Sequence, residues 1–192
     1  MRLNRLGLEY GRVWQAVAAA VAIVLPMALW TGLERAVGDT TEKLVPGETI
    51  TLQSYPVDDA RLQFLPPGGG WSTGLTLSQH RIELNRGKVS ATVQVDTAVA
   101  SLPTLLDRRA DRLTTTQPGV AASNVREYRN PVNGLEGYRA DLYGRNIAGS
   151  IVVVGTGGGA AATVITLAPS GQLDDSAAGA DDFVSSFVLG GE

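Results

Sequence analysis

Residues 13–30 read V-W-Q-A-V-A-A-A-V-A-I-V-L-P-M-A-L-W, eighteen positions without a charged side chain and with a single amide, Gln15. Thr31, Gly32 and Leu33 extend the run to residue 33, and a helix of about 21 residues spans about 30 Å, the thickness of a bilayer's hydrocarbon core. A chain with such a segment meets two solvents, so the remainder is expected to fold beside a membrane. Trp14 and Trp30 stand near the two ends, where interfacial aromatics belong. Pro26 is compatible with a span because neighbouring groups satisfy the carbonyl it frees.

Arg2, Arg5 and Arg12 precede the run, with Glu9 the only acid among them. The positive-inside rule then places the N-terminus in the cytoplasm and everything after residue 33 outside. A signal peptide cleaved after Gly38 is the competing reading, since Ala36-Val37-Gly38 is a small-x-small site. Against it stand the length of the apolar run and the charged pair Glu34-Arg35 just ahead of that site. The expected organisation is a cytoplasmic segment at 1–12, a transmembrane signal anchor at 13–33, a linker at 34–49 and an extracytoplasmic domain at 50–192. Within the linker, residues 39–49 are polar and carry the Pro46-Gly47 turn.

Composition narrows the function classes. Cysteine is absent, which removes disulfides, thiolate nucleophiles, Cys-type zinc sites and an acylated cysteine anchor. The chain has 16 basic and 19 acidic side chains, and four of the arginines but only two glutamates lie in residues 1–38. The exported body is therefore acidic, which argues against a nucleic-acid partner.

Turn residues divide that body into short elements. Strands are expected at Ile50–Tyr55 and Arg61–Phe64, and a hairpin joins Leu75–Leu84 to Lys88–Asp96 through Asn85-Arg86-Gly87. In its second arm Val89, Ala91, Val93 and Val95 alternate with polar residues, so one face packs and the other is wetted. The apolar parity of the first arm changes between Leu77 and Ile82, which predicts a bulge near Gln79 and His80. Ser101 is a candidate N-cap for a helix with Leu102, Leu105, Leu106 and Ala110 to Leu113 at helical spacing. Its charged residues Asp107, Arg108, Arg109, Asp111 and Arg112 are assigned to the outer face, and Thr114 to Gly119 ends it. Strands follow at Ser123–Arg129, Gly137–Tyr143, Ala148–Val154 and Ala161–Leu167, then a helix over about Ala177–Val188 with Phe183, Val184 and Phe187 on one face. The order specifies an α+β domain, a largely antiparallel sheet packed by helices.

The segment S-I-V-V-V-G-T-G-G-G-A-A-A-T-V-I-T-L-A, residues 150–168, outlines a dinucleotide-binding turn, with Gly155, Gly157 and Ala160 at Rossmann spacing. That chemistry needs a helix N-terminus aimed at the pyrophosphate. Thr163, Val164, Ile165 and Thr166 instead favour a strand, Pro169 ends the segment, and the remaining chain is too short for a dinucleotide domain. The expected structure is a hairpin of Ile151–Val154 and Ala161–Leu167 with the glycines as its loop, and no cofactor is expected.

The segment Phe64-Leu65-Pro66-Pro67-Gly68-Gly69-Gly70-Trp71 is similar to the F-x-x-P-x-G-W motif that opens PsbP-like domains, lengthened here by two glycines. The strand hairpin after Trp71, the helix at Leu102–Leu113, the Gly134-Leu135-Glu136-Gly137-Tyr138 turn and the D-x-F-V-S-S-F segment at Asp181–Phe187 extend the likeness in order. From Phe64 onward the chain resembles the PsbP-like and LpqN-like exported α/β/α sandwich family. The resemblance implies an α/β/α sandwich. It implies no catalytic residues, because members serve as assembly factors, accessory subunits and envelope binding proteins.

Other chemistries find little footing. His80 is the only histidine, and a triad would need a serine and an acid brought to it by the fold. Asp58-Asp59, Asp174-Asp175 and Asp181-Asp182 lack calcium-loop spacing, and the last pair suits a helix N-terminus. Arg108, Arg109 and Arg112 are candidates for an anionic glycan or a partner, against a solvated helix face in which they pair with Asp107 and Asp111. Trp71 is a candidate ligand or partner contact, against a plug at the core's edge. The expectation is a non-catalytic accessory or interaction protein of the cell envelope, tied to the membrane by one helix, with an envelope protein as partner. An envelope lipid- or glycan-binding protein is the alternative, and a hydrolase a more distant one.

Overall fold

The computed structural model describes residues 17, 21–25, 42–54, 60–74, 78–157, 159–170 and 179–191. The chain divides into two compact units, Met1–Thr40 and Thr41–Glu192. The expected anchor at 13–33 lies largely outside the described residues. Within it, Val17 and residues 21–25 are helical with exposed side chains. Among the described residues no helix is long and apolar enough to cross a membrane.

The second unit is built on antiparallel pairing. Its strands are β1 (Glu42–Lys43), β2 (Ile50–Gln53), β3 (Ala60–Phe64), β4 (Ser72–Thr73), β5 (Arg81–Arg86), β6 (Val89–Asp96), β7 (Ala121–Arg129), β8 (Glu136–Tyr143), β9 (Ile147–Gly155), β10 (Ala161–Pro169) and β11 (Val188–Gly191). Helix α1 covers Leu102–Thr116 and α2 covers Ala180–Ser185. Eight strands form a long sheet in the order β1-β4-β5-β6-β10-β9-β8-β7, and β11-β3-β2 form a small second sheet.

Each face of the long sheet carries its own apolar core. On one, Leu84, Val93, Val95, Val152, Val154 and Val164 pack beneath the small sheet and α2, with Phe64, Phe183 and Phe187 between the layers. The rings of Phe64 and Phe187 meet edge to face at 5.7 Å. On the other, Ala140, Leu142, Ile151, Val153 and Ala161 pack beneath Leu105 and Leu106 of α1. Residues 151–154 are all buried because β9 is covered on both faces, whereas β6 alternates buried and half-buried as its pattern predicts.

The glycine run resolves as a hairpin loop. Val164 of β10 pairs antiparallel with Val152 of β9, and Ala161 with Gly155, so no helix begins after the glycines. Gly157 and Gly159 adopt φ of +78° and +83°, left-handed positions that glycine occupies without strain. Ser101 caps α1 as expected, its Oγ accepting from the Thr104 amide at 3.4 Å.

Several boundaries differ from expectation. The final helix ends at Ser185, and Val188–Gly191 pair with β3 as a strand instead of continuing it. The layer opposite α1 is accordingly a three-stranded sheet with a short helix. The parity change in the first hairpin arm is a turn at Gln79-His80, before β5 begins, and residues 75–77 lie outside the described set. Helix α1 continues through Thr116, where Thr114, Thr115 and Thr116 hydroxyls donate to carbonyls one turn back.

Candidate ligand and partner surface

Trp71 is a core residue, only 1% exposed. Its indole Nε1 donates to the Pro67 carbonyl at 2.9 Å, its ring meets Phe183 edge to face at 5.2 Å, and the Arg86 guanidinium lies 4.7 Å from the ring centroid. The proline-glycine loop thus folds back over the indole. As a surface candidate Trp71 is corrected: the side chain has no face left for a ligand.

The three arginines of α1 do not behave alike. Leu102, Leu105, Leu106 and Leu113 define the inward stripe, and Arg109 falls at the i+7 position of that stripe. Its guanidinium is therefore turned toward the sheet, where it pairs with Asp96 at the end of β6, with side-chain exposures of 11% and 19%. The assignment of Arg109 to the outer face is thus corrected by helical geometry. Arg108 and Arg112 are exposed, but the expected pairing with Asp107 and Asp111 does not occur: among the described residues neither guanidinium has an ion-pair or hydrogen-bond partner.

These arginines border a cleft of about 360 Å³ between α1 and the wetted face of β6, with His80, Gln94 and Asp96 on its other walls. His80 Nδ1 lies 2.7 Å from Ser78 Oγ, so the turn before β5 joins the lone histidine to a serine. Among the described residues no carboxylate hydrogen-bonds to the ring, and the contact is a dyad two residues apart in sequence. A second cleft, bounded in part by Arg81, Thr92 and Thr116, adjoins the first and shares Gln94, Arg109 and Arg112 with it.

An open cleft of about 890 Å³ lies at the glycine-loop end of the sheet, with Leu102, Tyr128, Leu135 and Tyr138 among its walls. Tyr128 and Leu135 pack against one apolar core and Leu102 and Tyr138 against the other, so the walls of this hollow draw on both faces of the sheet.

A charged network closes the opposite surface of β7 and β8. Arg139 pairs with Asp181 in the first turn of α2, and Arg126 holds Asp141 through two hydrogen bonds of 3.1 and 3.2 Å. The hydrogen bond from Arg126 keeps the Asp141 carboxyl below the usual carboxylate range. Burial pushes the Tyr128 phenol up to about 12, while a hydrogen bond from Asn130 opposes the rise. Asp182 accepts from the Gly179 amide at 2.9 Å, so the Asp181-Asp182 pair serves the start of α2. Asp58-Asp59 and Asp174-Asp175 lie outside the described residues. Among the described residues no group of three metal-ligating side chains converges.

The long antiparallel sheet, covered by α1 on one face and by the small sheet with α2 on the other, is a PsbP-like fold. It is similar to the solution structure of cyanobacterial PsbP (CyanoP) from Synechocystis sp. PCC 6803, with a TM-score of 0.51 over 76% of this chain and 95% of that one, at 11% identity. A crystal structure from Bacteroides thetaiotaomicron VPI-5482 aligns over 77% of this chain and 49% of that chain at 9% identity, but its TM-score of 0.37 is too low to define a shared fold. No family model matches the sequence, and no curated protein does.

Proposed function

We propose that this chain is a membrane-anchored, extracytoplasmic interaction protein of the cell envelope, an accessory module without catalysis of its own, akin to LpqN-like exported proteins. The observation that carries the reading is how the fold spends its apolar side chains. Both faces of the long sheet are filled, and Trp71, Phe64 and Phe183 close the edge between layers. Polar and charged groups line the cleft beside α1. Sequestering an apolar molecule calls for an enclosed, mostly apolar chamber, and neither the cleft beside α1 nor the one at the glycine loop is one, which favours contact with a partner over storage of an apolar ligand. Residues 13–33 supply the anchor, and Arg2, Arg5 and Arg12 its orientation.

Crosslinking of the tagged full-length protein in its native membrane tests the role. A defined envelope protein recovered in near-stoichiometric yield is the expected result. Recovery of the tagged chain alone refutes it. For topology, a reporter active only outside the cytoplasm and fused after Glu192 is expected to be active, and a silent fusion refutes the orientation.

A further inference from the structure

Helix α1 sorts its charges by sign. Asp107 and Asp111 lie one turn apart on one flank, and Arg108 and Arg112 one turn apart on the next. Each i, i+4 neighbour is thus a like charge, an arrangement that weakens a helix. Arg108 and Asp111, three residues apart, have the spacing to neutralise one another, yet no ion pair forms between them. Both free guanidiniums border the cleft beside β6, and a third, Arg109, is fixed there by Asp96 with its Nε buried and without a hydrogen-bond partner. His80 stands among the same walls, tied to Ser78. Among the described residues lining it, three arginines stand against one carboxylate, a local excess of positive charge on a chain of net charge −3.

We infer that this cleft binds a phosphoryl group, held between the guanidiniums of Arg108 and Arg112 with His80 opposite. A guanidinium is a planar fork that matches two oxygens of one anion. Two such forks one turn apart, with Cβ atoms about 5–6 Å from each other, converge best on a tetrahedral dianion with several peripheral oxygens. A carboxylate offers two oxygens in one plane, a poorer match to two forks than a tetrahedral dianion. Arg109 pairs with Asp96 at the floor, where the Gln94 side-chain amide also donates to Asp96 Oδ1 at 3.3 Å. The same chemistry is offered by a free phosphoester and by a phospholipid headgroup.

Calorimetric titration of the full-length chain in neutral detergent tests the site, with inorganic phosphate, glycerol 3-phosphate, and mixed micelles of that detergent and phosphatidylcholine with and without phosphatidic acid as probes. Saturable phosphate binding at low ionic strength is expected, weakened about tenfold or more by Arg108→Gln with Arg112→Gln. Arg145→Gln, on the exposed loop between β8 and β9, leaves binding unchanged. The double variant is expected to melt at or above the wild-type temperature, because it relieves like-charge repulsion. Binding of glycerol 3-phosphate without preference for phosphatidic acid assigns a soluble phosphoester. Arginine-dependent preference for phosphatidic acid micelles assigns a headgroup. No saturable binding by the wild type in any arm, or equal binding by the double variant, overturns the site. The inference goes beyond the interaction role: a chain that keeps its crosslinked partner yet binds no phosphoryl probe loses this site and retains that role.

Discussion

Replacing Arg109 by methionine isolates the ion pair that ties α1 to β6. Methionine retains most of the aliphatic volume within the inward stripe, so the expected cost arises from Asp96, whose side chain is 19% exposed, whose Oδ2 has no hydrogen-bond partner among the described residues and whose Oδ1 keeps only the Gln94 amide at 3.3 Å. Removing one member of a fully buried pair costs about 3–5 kcal/mol; the remaining water access of Asp96 places Arg109→Met nearer about 2–3 kcal/mol. In a domain of this size that is a fall of about 4–12 °C in melting temperature. Thermal melts of the full-length chain, followed by near-ultraviolet circular dichroism, measure it. The combined Asp96→Asn and Arg109→Met variant is expected to recover most of the loss, because two neutral groups replace an unmatched charge. A single variant within about 0.5 kcal/mol of wild type, or a double variant as unstable as the two singles added together, refutes the assignment of this pair as a coupled, desolvated contact.

Trp71→Ala removes a buried indole together with its contact to Phe183, and a loss of about 3–5 kcal/mol is expected in urea unfolding. A change below about 1 kcal/mol is incompatible with its core position. Gly137→Ala places a Cβ 1.8 Å from the Val153 carbonyl oxygen of the neighbouring strand, so the β8–β9 pairing must shift; a loss above about 2 kcal/mol, or no soluble folded protein, is expected. Asp141, whose carboxyl is held low by Arg126, contributes stability that is present above the ordinary carboxylate range and is lost as pH falls through its depressed folded-state value. Because the pair is well exposed, the effect is under about 1 kcal/mol, and Arg126→Gln is expected to flatten the acid limb of a stability-versus-pH curve by that amount. An unchanged acid limb refutes the linkage.

What was legible in the sequence was whatever depends on neighbours within one element. The alternation of Val89 to Val95 gave the buried face of β6, the β-branched run after the glycines gave β10, and Ser101 gave the start of α1. The misplaced end of the last helix has the opposite origin. Phe183, Val184 and Phe187 fit helical spacing, but the pairing of Val188–Gly191 with β3 comes from a strand more than a hundred residues away. The cleft is a case between these. A leucine stripe with an arginine at one of its own positions implies a partner charge inside, and Asp96 at the end of an alternating strand was the available acid. That signal runs against the general preference of a helix's charged residues for its solvated face. The proximity of His80 to this arginine cluster was not readable, because it depends on which strand α1 lies beside and on the turn that precedes β5. Local pattern reports which side chains are turned inward; the packing of one element on another decides which inward charges meet, and it is at that meeting that the phosphoryl site is drawn.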